Sequence, residues 1–171
     1  MLHQFRFEFD AEQDRIVFRL KTTDDNEYLL WFTRRYVRKL LENLGRAADS
    51  HPDVVRQSSA SAQKTVAAFR REAAIQKTDF SKSYDSEKTV RPLGDEPILV
   101  SRLRVTNNPK GLKTIRMSPR RGKEIGVTLT DDLLHSFLHL LTAAVARADW
   151  SLGNSGARPA PDPARPDATL H

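Results

Sequence analysis

Two histidines four residues apart, His135 and His139, are the first residues of this chain whose spacing suggests chemistry. On a helix they share a face and could grip a metal ion. The glutamate that would turn the pair into a metalloprotease motif is missing, because Ser136, Phe137 and Leu138 stand between them. No acidic cluster follows, so the two imidazoles read as structural, and the sequence implies no metal and no cofactor. The 171 residues contain no cysteine, which removes thiolate nucleophiles, disulfides and cysteine-ligated zinc together. Seven scattered glycines form neither a P-loop nor a dinucleotide fingerprint, and no serine sits in a nucleophile elbow. No catalytic residues are expected.

Cations offer a better lead. The net charge of +6 is uneven: residues 1–49 carry nine basic and nine acidic side chains, whereas residues 98–150 carry nine and four. Arg102, Arg104, Lys110, Lys113, Arg116, Arg120, Arg121 and Lys123 fall in one segment against the single acid Glu124. Arg102 and Arg104 alternate with Leu103 and Val105, so on a strand their heads share the solvent face, and Arg116 extends the row if the strands form a meander. Such a surface suits a phosphate backbone. It could equally be solvated, or meet the acids Asp79, Asp85, Glu87, Asp95 and Glu96. Arg34 and Arg35 make a second candidate anion site at the start of a helix, where the macrodipole disfavours cations. Pairing with Asp24, Asp25 or Glu27 is the plainer expectation for them. Most aromatic rings alternate away from the cations, which leaves Trp31, Tyr36 and Tyr84 as the rings available for base stacking.

The elements that must carry these residues follow from periodicity. Phe5, Phe7 and Phe9 alternate with Arg6, Glu8 and Asp10, and Ile16, Phe18 and Leu20 repeat the pattern after a polar turn. Tyr28 to Phe32 is apolar throughout, which predicts a strand covered on one side by a helix and on the other by the second half of the chain. Thr33 can cap a helix reaching about Ala48, with Tyr36, Val37, Leu40, Leu41 and Leu44 as its apolar stripe. Shifted by 97 residues, Thr33 falls on Thr130, and the apolar positions around it fall on Ile125, Val127, Leu129, Leu134, Phe137, Leu138 and Leu141. The reading is therefore α+β: two βββα units with antiparallel sheets, residues 1–49 and 98–150, packed about a pseudo-twofold axis. Between them, residues 50–97 hold a helix from about Pro52 to Lys77, docked through Ala62, Val66, Phe69 and Ala73, and then a long irregular connection. Residues 151–171, rich in proline and alanine, read as a disordered tail. The start of the chain alternates like a strand, and no run approaches a membrane span, so a cytoplasmic location is expected.

The runs Asp14 to Leu20, Glu27 to Arg35 and Asp79 to Asp85 resemble a group of conserved proteobacterial proteins that carry no assigned activity. The resemblance implies a bacterial cytoplasmic protein and transfers no catalytic residues. The repeated strand-and-helix order is similar in outline to the Pur and Whirly single-strand binders, whose repeats have four strands where three are read here. The leading expectation is a non-catalytic binding or scaffold protein that engages another protein through the connection or the sheet edges. A nucleic-acid binder using the basic sheet is the second reading, and an enzyme with an unfamiliar site the third. The oligomeric state is not legible.

Overall fold

A computed structural model describes residues 2–78, 84, 89–108 and 111–152. The candidate residues Lys110, Asp79, Asp85 and Glu87, and the predicted disordered tail beyond residue 152, lie outside this set.

The fold is mixed α+β with one six-stranded sheet. Strands β1 (Leu2–Asp10), β2 (Arg15–Thr22) and β3 (Glu27–Phe32) are followed by helix α1 (Arg34–Asp49). Helices α2 (Pro52–Val55) and α3 (Ala60–Lys77) come next, and then β4 (Ile98–Asn107), β5 (Lys113–Pro119), β6 (Ile125–Leu129) and α4 (Asp131–Arg147). The two capping threonines act as their spacing implies: Thr33 Oγ1 accepts from the Tyr36 amide at 3.2 Å, and Thr130 Oγ1 from the Leu133 amide at 3.3 Å.

Strand order is β1-β2-β3-β4-β5-β6, antiparallel within each set of three. Between the sets, β3 and β4 run parallel, with Leu30 opposite Ile98 and Trp31 opposite Leu99. The expected purely antiparallel sheets are thus replaced by one mixed sheet. The pseudo-twofold arrangement is replaced too. A twofold axis would set equivalent strands side by side, whereas here a third strand meets a first strand and the two sets point the same way. The long connection between β3 and β4, which holds α1, α2 and α3, makes that possible, because parallel neighbours need a long connection.

One face of the sheet carries the core: Phe7, Ile16, Phe18, Leu30, Phe32, Ile115, Met117, Val127 and Leu129 pack with Val37, Leu40 and Leu44 of α1 and Leu134, Phe137 and Leu141 of α4. The helices cross between the halves. Phe137 of α4 touches Phe5, Phe7 and Phe18 at 5.6, 4.9 and 5.4 Å between ring centroids, while Tyr36 of α1 donates its hydroxyl to the Arg102 carbonyl at 3.4 Å. Burial of that hydroxyl pushes the Tyr36 pKa well above the usual tyrosine range.

Three further expectations are corrected. The helix read from Pro52 to Lys77 breaks at residues 56–59, where the Ser59 hydroxyl caps a new helix by accepting from the Ala62 amide at 3.1 Å. Of its expected docking stripe, Ala62, Val66 and Ala73 are half-buried, but Phe69 is 73% exposed, and Ala74 is its one fully buried side chain. On the outer face of β3 the connection covers Glu27, and the second half does not cover this face but lies alongside β3, because β4 pairs with its edge.

Candidate nucleic-acid interface

Alternation along β4, β5 and β6 divides their side chains between two faces. Leu103, Val105, Ile115, Met117, Ile125 and Val127 point to the core. The opposite face then presents cross-strand rows: Arg102 with Ser118; Arg104 with Arg116 and Gly126; Thr106 with Thr114 and Thr128. A register shift between Val100 and Arg102 lets Val100 stay buried while Arg102 emerges on this outer face. Arg102, Arg104 and Arg116 are all exposed.

Arginines directly opposite each other repel. Arg116 is partly neutralised by Glu124, Nη1 to Oε1 at 3.3 Å. Among the described residues no carboxylate pairs with Arg102 or Arg104. The β5–β6 turn adds Arg120, Arg121 and Lys123, all exposed. The turn lies at the Arg102 end of the face, because Arg102 stands opposite Ser118 and Val100 opposite Pro119, the last residue of β5. Gly122 in this turn has φ +121°, a conformation that favours glycine. Opposite Arg116, Gly126 has no atom within 4 Å of where a Cβ would stand, so the middle of the face is open.

Lys113 does not belong to this surface. It opens β5 in the same orientation as Ile115 and Met117 and is 7% exposed. Arg34 and Arg35 lie apart from it as well. Arg34 bonds Asp14 at 3.4 Å and sits over the Trp150 ring at 5.5 Å, and the indole of Trp150 donates to the same Asp14 at 2.6 Å. This corrects the expected pairing with Asp24, Asp25 or Glu27. Ile16 is opposite Phe32, so the β1–β2 turn meets the start of α1, whereas Asp24 and Asp25 are at the far end of β3. Arg35 is exposed.

On the corresponding face of the first half, the Glu27 end is closed. Glu27, with no side-chain exposure, accepts from Arg19 at 3.3 Å, Arg91 at 2.8 Å and the Tyr84 hydroxyl at 2.9 Å. Burial alone would raise the Glu27 pKa, but the hydrogen bonds from Arg91 and Tyr84 and the nearby guanidinium charges outweigh it and hold the carboxyl below its ordinary range. Burial and the same carboxylate push Tyr84 above the usual tyrosine range. Asp95, expected as a partner for the basic sheet, bonds Arg91 at 2.9 Å, and Glu96 is exposed. Sequence patterning did not foresee this cluster, whose bonded partners are up to 64 residues apart.

On this same face of the first half lies a groove of about 430 Å³, floored by Val17, Leu29 and Trp31 and walled by Glu8, Asp10, Arg19, Arg91 and Asp95. The Arg15 guanidinium lies 5.6 Å from the centre of the Trp31 ring. Beside Trp31 on the next strand is Leu99, 43% exposed. Of the three rings considered for stacking, Tyr36 is buried and Tyr84 is engaged by Glu27; Trp31 alone is on the outer surface with the arginines.

The two histidines separate. His135 is 4% exposed against α3, and His139 is exposed. Among the described residues no cluster of three His, Asp or Glu side chains could hold a metal ion, and no helix is long and apolar enough to cross a membrane. Comparison with models of known protein families, with curated proteins and with solved structures finds no match to this chain.

Proposed function

We propose that the chain is a non-catalytic binding protein that holds the phosphate backbone of nucleic acid on the outer face of β4–β6. The observation that carries this reading is Arg102 and Arg104, exposed on an open sheet and without a carboxylate among the described residues, next to the cationic turn of Arg120, Arg121 and Lys123. Guanidinium groups take phosphate oxygens in pairs, and the hydroxyls of Ser118 and Thr106 supply neutral donors along the same surface, where Thr114 and Thr128 share a hydrogen bond at 3.0 Å. A protein partner is less well matched. Stable protein interfaces centre on buried aromatic and apolar anchors, and the rows of this face consist of Arg, Ser, Thr and Gly.

Trp31 favours an unpaired strand over a duplex. The parallel β3–β4 pairing sets it beside Leu99 on the strand that carries Arg102 and Arg104, which combines a stacking ring with backbone cations on one surface. Flat readout by shape and charge gives little dependence on sequence.

The test is a fluorescence-anisotropy titration of a labelled single-stranded oligonucleotide at low salt. Arg102→Glu with Arg104→Glu should weaken binding at least about tenfold with an unchanged melting temperature. Equal affinity in the double variant would refute the assignment. Binding to an acidic protein, and not to the oligonucleotide, would favour the scaffold reading.

A further inference from the structure

The α2–α3 segment is held to α4 by very little apolar contact. Val54 is the one buried side chain of α2, and Ala74 that of α3. The tie is polar. Arg70 of α3 reaches Asp53 at the start of α2 with one terminal nitrogen and Asp131 at the start of α4 with the other, the latter at 2.7 Å. Thr78 and Ser136 share a hydrogen bond at 2.7 Å, and Lys77 stands 3.5 Å from Asp132.

His135 is set in this seam. It is 4% exposed, and among the described residues neither ring nitrogen makes a hydrogen bond; the Nε of Arg70 beside it is buried and unpaired as well. A buried polar group without a partner weakens the structure that buries it. The charged groups facing His135 are Asp131 and Asp132 on its own helix and Arg70 and Arg71 on α3. Asp131 Oδ2 is 3.6 Å from Nε2, but that oxygen already accepts from Arg70. An imidazolium here would sit largely out of water, and the guanidinium charges of Arg70 and Arg71 would oppose the attraction of Asp131.

We infer that His135 makes the α2–α3 segment a pH-operated latch on α4: neutral imidazole keeps it docked, and protonation releases it while α4 stays fixed to the core through Leu134, Phe137 and Leu141. The direction follows from linkage. Burial first, and then the arginines, lower the proton affinity of docked His135, with Asp131 and Asp132 opposing. The undocked state therefore binds the proton better. Docking is at full strength above the ordinary imidazole pKa of about 6.5 and weakens below it, the undocked fraction growing by up to about tenfold per pH unit until docked His135 also titrates.

The chain has no cysteine, so Ala68→Cys on α3 and Ala146→Cys on α4, both exposed positions, can carry a unique pair of spin labels. The inter-label distance should be narrowly distributed at pH 7.5 and should gain a second, broader population between pH 6 and pH 5. In the same pair bearing His135→Phe, which cannot titrate, the narrow distribution should persist to pH 5. An unchanged distance in the parent pair, or an equal pH response with phenylalanine, overturns the latch. Should His135→Phe fold poorly, an NMR titration of the native protein decides the matter: an imidazole midpoint below 6.5 supports the inference, and one at or above 6.5 overturns it.

Discussion

Phe137 of α4 meets Phe7 of β1 edge-on, with ring centroids 4.9 Å apart and ring planes at 90°, although the two residues belong to opposite ends of the chain. Edge-to-face pairs of this kind add to the stabilisation that ring burial already provides. Because Phe137 also touches Phe5 and Phe18, the last helix is what closes the core over the first two strands.

Phe137→Ala should therefore destabilise the whole protein, by about 3–5 kcal/mol, as expected for truncating a fully buried aromatic ring. Urea unfolding followed by fluorescence and by circular dichroism should give one coincident transition for the parent protein. Two separate transitions would mean that the halves fold independently.

The helix caps are equivalent by position, and their loss should cost similar amounts. Thr33→Ala and Thr130→Ala each remove one acceptor for a helix-terminal amide, worth about 1 kcal/mol. Thr33→Ser and Thr130→Ser keep the acceptor and should restore most of it. A failure of serine to rescue would point to the methyl group in place of the cap.

Glu27 should govern acid stability. Its carboxyl is held below the ordinary glutamate value of about 4.3, so the stability it contributes is complete above that pH and is lost as the pH falls through the lowered folded-state value. Glu27→Gln keeps the size but leaves Arg19 and Arg91 facing a neutral amide, at a cost of about 2 kcal/mol at pH 7. The difference in melting temperature between parent and variant should shrink toward pH 3. A constant difference would show that the ion pairs are not its source.

How far the sequence foretells this molecule depends on how local the determining signal is. The period-2 phenylalanines, the threonine caps and the paired apolar stripes of α1 and α4 are set by neighbours a few residues away, and each is where the spacing places it. The outward set of Arg102, Arg104 and Arg116 is legible for the same reason, except that Lys113 follows the inward alternation of Ile115. The parallel β3–β4 junction is different. It depends on how an entire crossover packs, so neither Trp31 beside Leu99 nor the mixed sheet could be read from periodicity. Phe69 misled because its spacing from Val66 and Ala73 is helical, while the docking of α3 is decided by the Arg70 ion pairs with Asp53 and Asp131. The Glu27 and His135 clusters join residues dozens of positions apart, and no local pattern marks them.

The role of Trp31 can be separated from that of the arginines. Trp31→Ala should lower affinity for a single-stranded oligonucleotide by about 1–3 kcal/mol and leave binding to heparin, which has no bases, unchanged. Equal losses for both ligands would mean that the substitution disturbs the sheet and does not remove a stack.

The measurement closest to the central claim is the salt dependence of oligonucleotide binding by the intact protein. If phosphate oxygens occupy the β4–β6 face, log Kd for a single strand should rise linearly with log salt concentration. About three to six phosphate contacts, from Arg102, Arg104, Arg116 and the turn cations, would give a slope of about 2 to 4. Arg102→Glu with Arg104→Glu and Arg116→Glu should flatten that slope and leave the fold intact, since all three side chains are exposed. No measurable binding of single- or double-stranded oligonucleotides at about 50 mM salt, where phosphate contacts are strong, would contradict the account.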